Sequence, residues 1–145
     1  MTEAFEAGPY VPTDEDRASV EAWFAEYDAL AAKAEIERLA DMAVFPLNVV
    51  SDDSRGDGVA AQWSREQYLE TMAQVMGGGA EDFRMESTRT PYFLSASLVL
   101  VITEATMTWQ GGGERVRYAD LLIKQDGKWR FQTMVQSGWG DNLRS

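Results

Sequence analysis

The run Val116-Arg117-Tyr118-Ala119-Asp120-Leu121-Leu122-Ile123-Lys124-Gln125-Asp126-Gly127-Lys128-Trp129-Arg130-Phe131-Gln132-Thr133-Met134-Val135 decides how the chain is read. Two alternating stretches flank Asp126-Gly127, a pair suited to a type I′ turn, which needs positive φ at both central residues. A two-residue loop would set Tyr118 against Val135, Asp120 against Thr133, Leu122 against Phe131 and Lys124 against Trp129. One side of this expected hairpin carries Val116, Tyr118, Leu122, Trp129, Phe131 and Val135, with Asp120 and Thr133 in its middle. The other side carries Arg117, Arg130, Gln132 and Gln136 among Ala119, Leu121, Ile123 and Met134. A carboxylate centred on the more apolar side is costly unless it is paired, protonated or used. Asp120 is therefore the expected centre of a site, with a raised pKa.

The same alternation continues N-terminally. Strands are expected over about 82–90, 92–109, 115–124 and 128–137, the long second one divided or bent. The facing of Glu104 depends on the Gly111-Gly112-Gly113 loop. A loop of three residues would set Glu104 opposite Asp120, where two carboxyls could share a proton. A loop of two or four would instead give Asp120 the company of Val101, Thr103, Ala105, Met107 and Trp109, with Glu104 near Arg117 outside. The second arrangement is preferred because it keeps the pocket face apolar.

Three helices precede the strands. Thr13 is the expected N-cap of the first, with Asp14, Glu15 and Asp16 in the turn where the helix dipole favours negative charge. Val20, Trp23, Phe24, Tyr27, Leu30 and Ala31 then form one apolar stripe. The stripe changes phase near Lys33, and Ile36, Leu39, Ala40 and Ala43 mark a second helix ending before Phe45-Pro46. Residues 45–51 have strand composition with the proline at the start or edge. Residues 52–58 read as a turn and 60–63 as a short returning strand. Ser64-Arg65-Glu66-Gln67 is a capping box, with Trp63 and Tyr68 placed for a hydrophobic staple. The third helix should bury Tyr68, Leu69, Met72, Val75 and Met76 and stop at Gly77-Gly78-Gly79. Helices followed by antiparallel strands mean an α+β fold. Residues 1–12 read as an irregular tail and 13–140 as a single domain.

Composition narrows the function. With 24 Asp and Glu against 13 Lys and Arg in 145 residues, the field of the chain repels phosphate backbones and anionic lipid. Neither nucleic acid nor a membrane is an expected partner. No Cys or His is present. Thiolate chemistry is excluded, and acid–base work would fall to carboxylates, Tyr, Lys or water. No metal and no cofactor is expected. The start, Met1-Thr2-Glu3-Ala4-Phe5-Glu6, lacks the basic and apolar regions of a signal peptide, and the expected location is cytoplasmic.

The order of elements over most of residues 14–137, with Tyr118-Ala119-Asp120 before Asp126-Gly127-Lys128-Trp129, resembles the nuclear transport factor 2-like superfamily, which includes SnoaL-like polyketide cyclases and ketosteroid isomerases. The resemblance implies a cone-shaped α+β barrel, three helices packed on a curved antiparallel sheet, with a small-molecule pocket at its wide end. Asp120 falls where ketosteroid isomerases place the aspartic acid of their oxyanion hole. Trp23 falls at their first-helix tyrosine, with Tyr27 one turn later. Their general-base aspartate falls near Leu47 or Asn48, where this chain has no carboxylate, which argues against steroid isomerase activity. Scytalone dehydratase-type chemistry depends on histidines and is excluded.

The expected function is a pocket for a small hydrophobic or aromatic metabolite. Asp120 would be its acid, base or hydrogen-bond donor in a cofactor-free isomerase, cyclase or lyase. Trp23, Tyr27, Asn48, Met107, Trp109, Tyr118, Phe131 and Thr133 would line it. The alternatives are a non-catalytic binding or accessory domain and a dimeric module whose cavity is filled by side chains. The hairpin side opposite Asp120, joined by Leu98, Leu100 and Ile102, exposes enough apolar surface to suggest a homodimer.

Overall fold

The computed structural model describes residues 9–76 and 84–143. The expected Gly77–Gly79 helix stop, the first eight residues of the tail and the start of the strand at 82 lie outside them. The elements run α1 (Asp14–Ala32), α2 (Ile36–Ala40), β1 (Ala43–Asp52), β2 (Gly58–Trp63), α3 (Arg65–Met76), β3 (Arg84–Ser95), β4 (Leu98–Trp109), β5 (Gly112–Gln125), β6 (Lys128–Gln136) and α4 (Gly140–Leu143).

The helices begin where the sequence says they should. Thr13 Oγ1 accepts from the Asp16 backbone N–H at 3.0 Å, and the Asp16 carboxylate accepts from the Thr13 N–H at 2.9 Å. Ser64 and Gln67 exchange the same two bonds ahead of α3. Each box satisfies two otherwise orphaned donors, typically worth about 1 kcal/mol per cap. The break after α1 is made by Ala34 at φ 53°, with the Glu35 N–H reaching back to Leu30 O. Tyr68 and Met72 are buried on α3, but Val75 is 63% exposed. Val75 thus leaves the core, contrary to expectation, and the side chain of Met76 lies outside those described.

The six strands form one curved, unclosed sheet in the order β2-β1-β6-β5-β4-β3. It is mixed rather than wholly antiparallel, because β1 lies parallel to β6. Pro46 falls where the β1–β6 ladder is interrupted, between Ala43 and Asn48, so its missing N–H costs no regular bond there. Pro91 was expected to separate two strands. It lies inside β3 instead, opposite Val101, and the turn comes at Ala96 and Ser97. This is tolerated because β3 is the edge of the sheet and one side of its backbone has no ladder to supply.

Val20, Phe24 and Leu30 of α1, Leu39 of α2, Tyr68 of α3 and the inner residues Leu47, Val49, Val99, Val101, Leu122, Trp129 and Phe131 form the core. Two polar ties fix α1 across the sheet. The Trp129 indole N–H donates to Ser19 Oγ at 3.0 Å, and Arg89 of β3 makes a two-pronged ion pair with Asp28 at 2.7 and 2.8 Å. After β6 the chain folds back on β1. Asp52 accepts from Ser137 Oγ and the Gly138 N–H, and the Trp139 N–H donates to Ser51 Oγ.

Candidate functional site

The Asp126-Gly127 turn has φ of 53° and 76°, both positive as the I′ turn requires. From it the register runs as expected through Lys124 opposite Trp129 and Leu122 opposite Phe131. Then β6 takes one extra residue at Gln132. Leu121 faces Thr133, Asp120 faces Met134, Ala119 faces Val135 and Tyr118 faces Gln136. A single inserted residue reverses the facing of everything beyond it on that strand. Met134 consequently packs toward the core, while Val135 is 38% exposed. The expected Asp120–Thr133 and Tyr118–Val135 pairs are therefore corrected.

Thr133 now lies on the outer face with Asn48, its parallel partner on β1. Leu47 and Val49 on either side of Asn48 are fully buried, so Asn48 points away from the core. There Gln62 donates to Asn48 Oδ1 at 3.1 Å and Thr133 donates to Gln132 Oε1 at 2.6 Å. Neither Asn48 nor Thr133 shares the face of Asp120.

On β4 the preferred arrangement holds. The loop is Gln110-Gly111, with Trp109 opposite Gly112 and Glu104 opposite Arg117. Glu104 forms an exposed pair with Arg117 at 2.7 Å on the outer face, and no dyad with Asp120 forms. Asp120 pairs with Val101, Tyr118 with Thr103 and Val116 with Ala105, all facing inward. Met107 is six residues beyond Val101, about 20 Å along the strand at roughly 3.4 Å per residue. Met107 and Trp109 thus belong to the far end of the hairpin, where Trp109 is 38% exposed, and not to the surroundings of Asp120.

What does surround Asp120 is aromatic and polar. Trp23 stacks on Tyr27 at 5.7 Å, and both rings meet Phe131 edge-on at 5.8 Å. Tyr68 approaches Phe131 at 6.3 Å. Asp120 is half-buried. Burial pushes its carboxyl pKa up to about 7, opposed by the positive charge of Arg89. No hydrogen bond from the described residues holds its charged form. Burial also raises Tyr27 and Tyr118, and pushes Tyr68 up to about 12, with the Asp120 charge adding to each. All three phenols therefore stay protonated near neutrality and can donate. A protonated Asp120 can do the same, and an ionised one can accept a proton.

Arg89, Asp28 and Tyr68 carry the rest of the site, and sequence reasoning did not place them there, whereas it did place Thr103 on the side of Asp120. Tyr68 was read only as core. Arg89 had a usable signal: it shares parity with Pro91 and Phe93 on β3, so the inward facing of Phe93 implies its own. The guanidinium carbon lies 4.2 Å from the centroid of Phe24. A crevice of about 300 Å³ between α1 and β3 is lined by Val20, Phe24, Asp28, Arg89, Pro91 and Val101, among others. A larger hollow of about 750 Å³ on β3–β5, bounded by Glu86, Glu104, Arg115 and Arg117, is lined by charged and polar groups remote from the aromatic cluster. The smaller crevice reaches Phe24 and Arg89, but Asp120, Trp23, Tyr27 and Phe131 do not line it.

No family model and no curated protein matches the sequence. Among solved structures, the chain is similar to Aln2 from a Streptomyces species (17% identity, 93% of this chain and 97% of that one covered, TM-score 0.67). It is similar to an NTF-2 like protein of unknown function from Shewanella oneidensis (11%, 84% and 98%, TM-score 0.65). It is also similar to LinA (17%, 82% and 82%, TM-score 0.62). At these identities the likeness concerns the fold. The chain has the nuclear transport factor 2-like fold.

Proposed function

On this nuclear transport factor 2-like scaffold, we propose that the chain binds a small hydrophobic or aromatic metabolite and acts on it as a cofactor-free isomerase, cyclase or lyase. Asp120 is the acid, base or hydrogen-bond donor, and Trp23, Tyr27, Tyr118 and Phe131 hold the ligand. The observation that carries the reading is one carboxyl group set among Tyr27, Tyr68 and Tyr118, with burial bringing its pKa to about 7. A carboxyl group tuned there exists in both protonation states near neutrality, the condition for efficient proton transfer. The unit of function is a single domain over 13–140 in a cytoplasmic protein.

The second reading, a non-catalytic binding domain, is favoured by the fate of the other carboxylates. Glu104 is spent on Arg117 outside and Asp28 on Arg89. Asp120 would have to both take and return a proton by itself. In either reading the protein is a homodimer through the outer sheet face, which carries Tyr92, Leu94 and Leu98 at 55%, 65% and 40% exposure.

Two measurements test the proposal. NMR titration of the Asp120 side-chain carboxyl is expected to give a midpoint near neutrality. A midpoint at the ordinary aspartate value would remove the acid–base role. Mass spectrometry of ligand copurifying with the native protein is expected to give a compact apolar molecule. Turnover of that molecule, lost in Asp120→Leu, separates catalysis from binding.

A further inference from the structure

We propose that Asp28 and Arg89 are positioning residues for Asp120: Asp28 clamps the guanidinium at a distance, so that Asp120 feels its positive charge without being ion-paired to it. The proposal rests on the reading of Asp120 as the group that exchanges a proton. Arg89, Thr103 and Tyr118 form one row across β3, β4 and β5, and Pro91, Val101 and Asp120 form another row on the same face. Arg89 is thus two strands across and two residues along from Asp120, roughly 10 Å and 7 Å between backbones. An unrestrained arginine at that diagonal would turn toward the carboxylate. The clamp prevents this. Both terminal nitrogens of Arg89 donate to the two oxygens of Asp28, at 2.7 and 2.8 Å. Phe24, one turn before Asp28 on α1, lies under the guanidinium at 4.2 Å. Arg89 is mostly buried and Asp28 half-exposed, so water screens the anion more than the cation, and a net positive field remains on the inner side.

Direct pairing would end the exchange of a proton near neutrality. A guanidinium in contact with a carboxylate holds it ionised, lowering its pKa by roughly 1–3 units. With no cation nearby, burial would push Asp120 higher still. Arg89 held near but apart leaves the two tendencies in balance, and a single carboxyl can then both take and return a proton. The other ionisable groups facing Asp120 are Tyr27 of α1, Tyr68 of α3 and Tyr118 on its own strand. β4 and β6 present Val101 and Met134, which carry no charge. Among the described residues, Arg89 is the cation that acts on Asp120.

The test is NMR titration of the Asp120 side-chain carboxyl in the full chain and in three variants, each checked for folding by near-ultraviolet circular dichroism. Arg89→Met keeps an apolar stem against Phe24 and removes the charge, and the midpoint should rise by roughly one pH unit or more. Asp28→Asn releases the guanidinium, and the midpoint should fall by a similar amount. The double variant leaves no orphaned charge, and its midpoint should lie above that of the wild type. It decides the question should Arg89→Met alone fail to fold. A pair that serves only to hold α1 on β3 gives a different pattern: each variant loosens the same contact, admits water and lowers all the midpoints together. That pattern, or midpoints that do not move, would overturn the positioning role while leaving a near-neutral Asp120 in place. An ordinary aspartate midpoint in the wild type would instead remove the Asp120 reading, and the positioning role with it.

Discussion

Replacing Asp120 with asparagine should stabilise the protein, and the gain should grow with pH. The carboxyl moves from its ordinary value of 3.8 to about 7 in the folded chain, through burial, with Arg89 opposing. Between those two values the folded chain keeps a proton that the unfolded chain has released. The stability tied to this group is therefore complete below pH 3.8, falls as pH rises, and levels off above about 7. At about 1.4 kcal/mol per pKa unit, the ionised carboxylate costs about 4 kcal/mol. Roughly 2 kcal/mol of that is already present at about pH 5, and nearly all of it at about pH 8. Asparagine has nearly the same shape and does not titrate, so its advantage over the wild type should be about 2–3 kcal/mol larger at pH 8 than at pH 5. Urea unfolding of both proteins at both pH values measures this, provided the m-values agree. Taking the difference twice cancels every other titrating group. An advantage that stays flat with pH, or shrinks as pH rises, would refute the claim that burial controls this carboxyl.

Gly140→Ala should destabilise by roughly 1–3 kcal/mol, as overpacking does, because an added Cβ would sit 2.5 Å from the Asp52 carbonyl carbon and 2.7 Å from the Asp53 nitrogen. Gly58→Ala, with nothing within 4 Å of its Cβ, is the matched control and should be near neutral in the same thermal melts. Trp23→Phe should keep the fold, since a ring still meets Tyr27 and Phe131, while reducing the fluorescence quenching caused by a bound aromatic probe. If quenching is unchanged and the probe maps elsewhere, Trp23 is core alone. Leu121→Asp and Ile123→Glu, on the outer face opposite Leu100 and Leu98, should convert a dimer to monomers in sedimentation at micromolar concentration. A wild type that already sediments as a monomer would remove the proposed interface.

What sequence alone determined follows from interactions that are local and periodic. The N-cap at Thr13, the capping box at Ser64, the phase break at Lys33 and the Asp126-Gly127 turn each depend on a few adjacent residues. The facing of β4 was also legible, because period-two alternation allows one choice that keeps the side of Asp120 apolar and sends Glu104 to Arg117. Those elements were enough to place Asp120 on a buried face.

The tertiary structure decided the rest, because it depends on neighbours far along the chain. β6 is held between β5 and a parallel β1 whose own register breaks between Ala43 and Asn48, alongside the bulge at Gln132. Alternation read along β6 alone cannot reveal that extra residue, so Thr133 and Met134 were assigned to the wrong faces. Pro91 looked like a strand end until β3 proved to be the sheet edge. Arg89 was not singled out in the sequence. It became part of the site only because α1 crosses the sheet and brings Asp28 and Phe24 to it. Periodicity fixes which way a side chain points, whereas its neighbours are fixed by strand pairings and helix crossings whose closure depends on the whole chain.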